Sequence, residues 1–292
     1  MKKILLILLL LSSTIFFSQE KKKDSIPKWK IHGRFKFLFN QANFSNWVSG
    51  GQDNVAGSLN VNYDFNYKKG KWNWDNKLIT AYGLSHLSGK GYRKTNDRIE
   101  YNSLLGIKSE GFWFFSFFTN FKTQYSRGYD YKQTPALPVS DIFSPAYLSI
   151  GPGILWKKSD DFRFNIAPAT VRYTFVSDEF SGKFGVEEGR NTAFGLGFNF
   201  SGYYKFEAMD NIDIENILAV YSDYLDKPQN VDIEYQMNLF FKVNKFIHMN
   251  ITFHTIIDSN ASKRVQFREE FGLGVSYSFH KKVTYQKIML SK

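Results

Sequence analysis

The chain has 292 residues, no cysteine and a formal charge of +11, and aromatic residues make up 18% of it, 30 of them phenylalanine. Zero cysteine excludes a disulfide framework, thiol catalysis, zinc–thiolate sites and a lipidated N-terminal cysteine. The basic residues are scattered at positions 21–23, Lys68, Lys69, Lys71, Lys157, Lys158, Lys281 and Lys282, with no basic helix or stacking platform. The charge therefore suits hydrated turns and anionic headgroups rather than nucleic acid.

Residues 1–19 read as a signal peptide: Lys2 and Lys3, an apolar run over 4–11, then small and polar residues up to a cleavage site placed near Ser18. Residues 20–28 are a polar lead. No later segment carries the 18 or so uninterrupted apolar residues of a membrane helix.

From residue 29 the dominant signal has period two. Over 29–41, Trp29, Ile31, Gly33, Phe35, Phe37 and Phe39 alternate with Lys30, His32, Arg34, Lys36, Leu38 and Asn40, which places the two sets on opposite faces of a strand. A loop follows over 44–53. Residues 55–67 then alternate Val55, Leu59, Val61, Tyr63, Phe65 and Tyr67 with polar partners. A tight turn at 68–71 leads to the opposite strand, where Trp72, Trp74, Leu78, Thr80, Tyr82 and Leu84 alternate with Asn73, Asp75, Lys77, Ala81 and Ser85. Strands of about 13 residues exceed the five or six of an average globular sheet and suffice for the 9 to 11 of a tilted bilayer crossing.

A longer polar loop is expected over 86–97, a strand over 98–108 with Glu100 and Asn102 inward, a turn at 109–111, and a strand over 112–125 with Lys122 inward. The longest loop is expected over 126–145. A hairpin over 146–157 and 162–175 comes next, whose Pro168 predicts a kink or bulge that leaves the facing beyond it open. A Gly- and acid-rich loop spans 176–191. Strands over 192–206, 212–224, 231–243, 247–257 and 265–279 complete the chain, with Asp232, Glu234 and Lys242 inward on the third of them and Arg268 and Glu270 on the last.

About twelve strands result, with short connections alternating with longer ones. An even strand count with short turns on one side is the pattern of an all-β, transmembrane, antiparallel up-and-down barrel of the bacterial outer membrane, termini on the short-turn side. Closure is required, since an open sheet in lipid leaves edge groups unpaired at several kcal/mol each. The domain reading is a barrel over 29–280 and a short tail over 281–292. Trp29, Trp72, Trp74, Trp113 and Trp156 all fall near the short turns, where an aromatic membrane girdle belongs. Gly274, Tyr277 and Phe279 have the spacing of a barrel insertion signal, with Leu273 in the place usually polar. A soluble β-sandwich is the structural alternative.

The inner register supplies the candidate site: Lys30, Arg34, Lys36, Asp75, Lys77, Glu100, Lys122, Arg163, Asp232, Glu234, Lys242, Arg268 and Glu270. These charges either line a narrow, selective channel or neutralise one another in a plug. Inward bulk at Leu38, Phe118, Tyr203, Tyr221 and Phe240 argues against a wide pore. His86 and Ser88, with Asn96 or Asn102, form a weak hydrolase-like pattern of the outer-membrane phospholipase kind and are read as loop. His248 and His254 stand too far apart on one strand to share an ion, and neither metal nor cofactor is expected.

Asn46, Trp47, Gly50 and Gly51; Thr95, Asp97 and Arg98; Gln124, Gly128 and Tyr129; Ser140, Asp141, Ser144, Pro145 and Ala146; and Gly151, Gly153 and Pro168 resemble an uncharacterised Gram-negative outer-membrane β-barrel family, a domain of unknown function of the DUF3078 kind. The resemblance runs over nearly the whole mature chain, and Asn-Trp-x-x-Gly-Gly is its most specific part. It implies fold and location and supplies no activity. The expected function is a narrow porin-like channel for small solutes, with an accessory or scaffold barrel as the alternative. Outer-membrane lipids are the expected surroundings, and envelope proteins are left open as partners.

Overall fold

Period-two alternation over more than ten residues has one economical outcome, a strand with an oily and a wet face, and the computed structural model consists of such strands. It describes residues 29–42, 53–244, 246–262 and 264–283. The strands are β1 (Trp29–Ala42), β2 (Asn54–Lys69), β3 (Trp72–Leu87), β4 (Gly91–Lys108), β5 (Trp113–Thr123), β6 (Gly128–Asp130), β7 (Leu137–Ser140), β8 (Ala146–Lys157), β9 (Phe162–Phe175), β10 (Thr192–Met209), β11 (Ile212–Asp223), β12 (Val231–Lys242), β13 (Ile247–Ile257) and β14 (Gln266–Val283). All but the short β6–β7 hairpin join one closed barrel, in the order β1-β14-β13-β12-β11-β10-β9-β8-β5-β4-β3-β2. Every neighbouring pair is antiparallel, and β1 closes the ring by pairing with both β14 and β2. The barrel therefore has twelve strands.

Its outside is apolar. Phe35, Phe37 and Phe39 on β1, Leu59 on β2, Phe115 and Phe117 on β5, and Phe271, Leu273, Val275 and Tyr277 on β14 are all exposed, Phe115 by 65% and Tyr277 by 63%. A surface this oily around a whole molecule fits hydrocarbon rather than water, and the protein is a transmembrane β-barrel. The buried groups are chiefly polar, among them Asn76, Glu100, Asn165, Thr170, Asn238 and Thr252.

The seam between β1 and β14 is tight. A Cβ on Gly274 would lie 2.0 Å from the Phe37 carbonyl oxygen, so only glycine permits this approach. At the same seam the Phe279 ring fills the space above Gly33, where a Cβ would meet it at 2.2 Å. The insertion-signal aromatic thus covers a glycine on the first strand.

Several sequence expectations are corrected. The polar stretch 86–97 is not a loop: β3 runs to Leu87, three residues turn, and β4 starts at Gly91. Its polar residues stay extended because the hairpin pairs Leu84 to Leu87 with residues 91–94, with a bulge between Gly83 and Leu84. The long loop 126–145 contains β6 and β7. β10 extends past Phe206 to Met209, and β14 runs three residues into the expected tail, pairing Val283 with Trp29. The signal segment 1–19, the lead 20–28, residues 284–292 and the motif Asn46, Trp47, Gly50 and Gly51 lie outside the described residues.

Pro168 does mark a bulge. β9 carries one extra residue against both neighbours, between Ile166 and Val171 facing β8 and between Ala167 and Thr170 facing β10. One extra residue reverses the facing: Arg163 and Asn165 point inward before it, and Thr170 and Arg172 after it.

Candidate functional site: the charged lumen

Inward parity on twelve strands collects ionisable groups from distant parts of the chain into one lumen of about 1230 Å³. Its mid-height is crossed by side chains. Lys122 on β5 pairs with Glu234 on β12, 112 residues away. Arg98 on β4 binds Glu100 beside it and sends Nη1 across to Gln236 Oε1 at 2.8 Å. Glu100 also accepts from Asn102 at 2.8 Å and Asn120 at 3.2 Å. Glu234 receives His254 Nε2 at 3.0 Å. Asn96 joins β4 to β14, donating to Glu270 at 3.3 Å and accepting from Arg268 at 3.2 Å.

Below this belt, toward the short turns, Lys77 on β3 faces Glu215 on β11 at 3.8 Å, and Glu215 also accepts from Tyr203 at 2.9 Å and Asn238 at 2.8 Å. Arg163 lies over the Tyr203 ring at 4.2 Å. Lys205 and Lys242 share Asp213 at 3.7 and 3.1 Å. At the rim, Lys157 bridges Asp75 at 2.6 Å and Asp160 at 2.9 Å, and Lys30 lines the opening. Asp160 sits on the turn. Partial burial pushes its carboxyl up, but the charge of Lys157 and its hydrogen bond outweigh that and hold it below the usual range. Above the belt, Arg172 binds Asp232 at 2.6 Å and lies 3.5 Å from the centre of the Tyr221 ring.

Arg34 and Lys36 complete the picture, both set against the Phe240 ring at 5.5 and 4.1 Å. All thirteen charged residues read from the sequence thus lie on the inner face. Key groups that the sequence did not place inward are Asn96, Arg98 and Arg172. Arg98, the first residue of the expected strand, shares parity with Glu100, and taking the strand back past residue 98 brings in Asn96 as well. Arg172 stands beyond the Pro168 bulge, where parity alone gives no side.

The aromatic group is gathered too. Trp29 lies 5.1 Å from Tyr67 and 6.0 Å from Trp74, Trp156 stacks on Phe164 at 5.3 Å, Trp113 pairs with Trp156 in register, and Trp72 is exposed opposite Ile107. All stand at the short-turn end. The hydrolase-like residues do not converge: His86 packs against the Tyr92 ring at 4.7 Å, tilted by 58°, on the projecting hairpin, while Asn96 and Asn102 are held inside the lumen.

The loop residues behind the family resemblance tie the opposite end together. Asp97 accepts from the Tyr125 amide at 2.7 Å and the Ser126 amide at 3.1 Å. Ser144, fully buried, donates to Ser177 at 3.0 Å and accepts from its amide at 2.8 Å. Arg127 reaches Asp141 at 2.8 Å and Glu179 at 2.7 Å. Val176, Phe180 and Val186 form a small apolar core beneath.

Fold and lumen together define a polar-lumened transmembrane β-barrel. Residues 39–129 match the family described as "Protein of unknown function (DUF3078)". The chain thus resembles that family over a shorter stretch than the near-complete extent expected from its loops. No curated protein matches. Similar solved structures include an outer membrane channel from Pseudomonas putida F1, 8% identical over 91% of this chain and 100% of that one, with a TM-score of 0.39. Others are the NanC porin, 11% identical over 87% and 100% with a TM-score of 0.36, and the β domain of the Bordetella autotransporter BrkA, 14% identical over 87% and 99% with a TM-score of 0.32. Identity and score at this level carry no inference about solute, activity or partner.

Proposed function

We infer that the protein is a narrow porin-like conduit of the outer membrane, passing small hydrophilic solutes through a lumen constricted by ion pairs. One observation carries this reading. A single cavity touches Lys30, Asp160 and Lys281 near the short-turn end and Asp258, Ala261 and Gln266 near the other. A sealed core would divide it. In this reading the short turns and both termini are periplasmic, residues 1–19 are a cleaved signal, and the tryptophans meet the inner leaflet. The cross-lumen pairs set the bore: they remove most net charge at mid-height and leave water room only for small solutes.

Planar-bilayer recordings of the purified barrel test it. Small, steady conductance is expected, rising when Lys122→Ala and Glu234→Ala are combined. No conductance in either protein overturns the reading. N-terminal sequencing of the membrane form is expected to start near residue 19.

The alternative is a scaffold barrel in an envelope complex, favoured by the tied loops, where Arg127, Asp141 and Glu179 form one bridge. That reading requires stable partners in a native-membrane pull-down.

A further inference from the structure

At the short-turn half of the lumen, strands β1, β11, β12, β13 and β14 enclose a recess of about 160 Å³ in the wall. It opens to the main lumen, because Arg34 and Phe240 line both spaces. Seven cations of the lumen have a carboxylate, namely Lys77, Arg98, Lys122, Lys157, Arg172, Lys205 and Lys242; Arg34 and Lys36 have none and are the two that stand side by side at a recess. Lys36 Nζ reaches only the neutral Asn250 Oδ1 at 3.0 Å and the Phe240 face, and Arg34 has only that ring. Neither forms an ion pair among the described residues.

The nearby carboxylates are engaged elsewhere. Asp213, the one carboxylate in the recess, is shared by Lys242 and Lys205. Glu215 is taken by Lys77, Tyr203 and Asn238, and Glu270 by Asn96. Two partly buried cations beside a recess leave a charge that an incoming anion would neutralise.

The remaining walls say what kind of anion. Leu38, Phe240 and the bare backbone at Gly274 present carbon, while Ser276 and Ser278 bring hydroxyls. The volume is close to the ~150 Å³ of a cavity that accepts benzene. A heavily hydrated inorganic anion gains nothing from carbon walls, whereas a guanidinium fork suits a carboxylate.

We propose that this recess binds a small organic acid: a monocarboxylate whose charge sits between Arg34 and Lys36 and whose apolar body, no larger than a benzene ring, lies against Leu38 and Phe240. Binding needs only the recess. Making this acid the transported solute rests on the conduit proposed above.

Titration calorimetry on the full barrel in detergent, with sodium benzoate, benzamide and inorganic phosphate as probes, tests the site. Benzoate binds; benzamide and phosphate bind at least about tenfold more weakly, a difference of about 1.4 kcal/mol. Arg34→Gln and Lys36→Met each weaken benzoate by about tenfold or more, and Ser278→Leu, which fills the recess from the strand position opposite Arg34 while leaving both charges in place, blocks it. Heat-modifiable gel mobility checks that each variant is folded, and the wild-type probe series decides the matter if none is. Absence of benzoate binding, or equal binding of benzamide or phosphate, overturns the proposal. Bilayer recordings separate the two ideas: benzoate binding without conductance keeps the recess and removes the conduit, and conductance without benzoate binding does the reverse.

Discussion

Glu100 shows how much one lumen residue can carry. It is buried and accepts hydrogen bonds from Arg98, Asn102 and Asn120, so Glu100→Ala strands a guanidinium and two amides at once. Removing one partner of a buried pair costs about 3 to 5 kcal/mol. Guanidinium unfolding in lipid vesicles should show a loss near the lower end, since the lumen is wet, and a larger one than for the Lys122→Ala, Glu234→Ala double variant, which removes both charges together. A loss under about 1 kcal/mol would mean that water replaces the carboxylate freely.

Asp141 gives a pH test outside the membrane. The hydrogen bond from Arg127, helped by the Ile142 amide, holds its carboxyl below the usual 3.8. A carboxyl lowered in the folded state contributes fully above its ordinary pKa and loses that contribution as pH falls through the folded value. Protease resistance of the 124–145 loop is therefore expected to be flat from about pH 8 to pH 5 and to fall only below about pH 4. Asp141→Asn should lower resistance above about pH 4, converge with the wild type below it, and so flatten the profile.

At the scale of the strand, parity decides which substitutions matter. Leu59 is exposed on the lipid face of β2, and Asn60 beside it points inward. Leu59→Arg should cost about 2 to 4 kcal/mol if it lies near mid-bilayer, less toward an interface, whereas Asn60→Arg should cost much less. Equal costs in vesicle unfolding would place both residues in water. Most strands were legible because this parity is a sequence property. It failed at two places, each with a local cause. The β3–β4 hairpin stays paired through polar residues, since backbone hydrogen bonds across a three-residue turn do not need an apolar face. In β9 the bulge at Pro168 reverses the facing, and no count along the chain says on which residue the reversal falls.

For the whole molecule, closure is the decisive event. β1 and β14 meet across almost the full chain, at a seam that needs Gly274 bare and Gly33 covered by Phe279. A chain ending at Ser278 should lose heat-modifiable mobility on gels, because the last strand then neither seals the edge nor covers Gly33. Retained mobility would show that the seam tolerates a gap. The candidate site also exists only after closure: Lys122 and Glu234, or Asn96 and Glu270, lie 112 and 174 residues apart.

Sequence by itself determined the class of fold and the inner and outer faces of most strands, because a period of two is written residue by residue and hydrocarbon tolerates no unpaired edge. It could not say which charges meet, nor that Arg34 and Lys36 are left without a carboxylate. Those facts depend on which strands stand opposite across the lumen, and only the closed ring, with its register and its bulges, sets that distance.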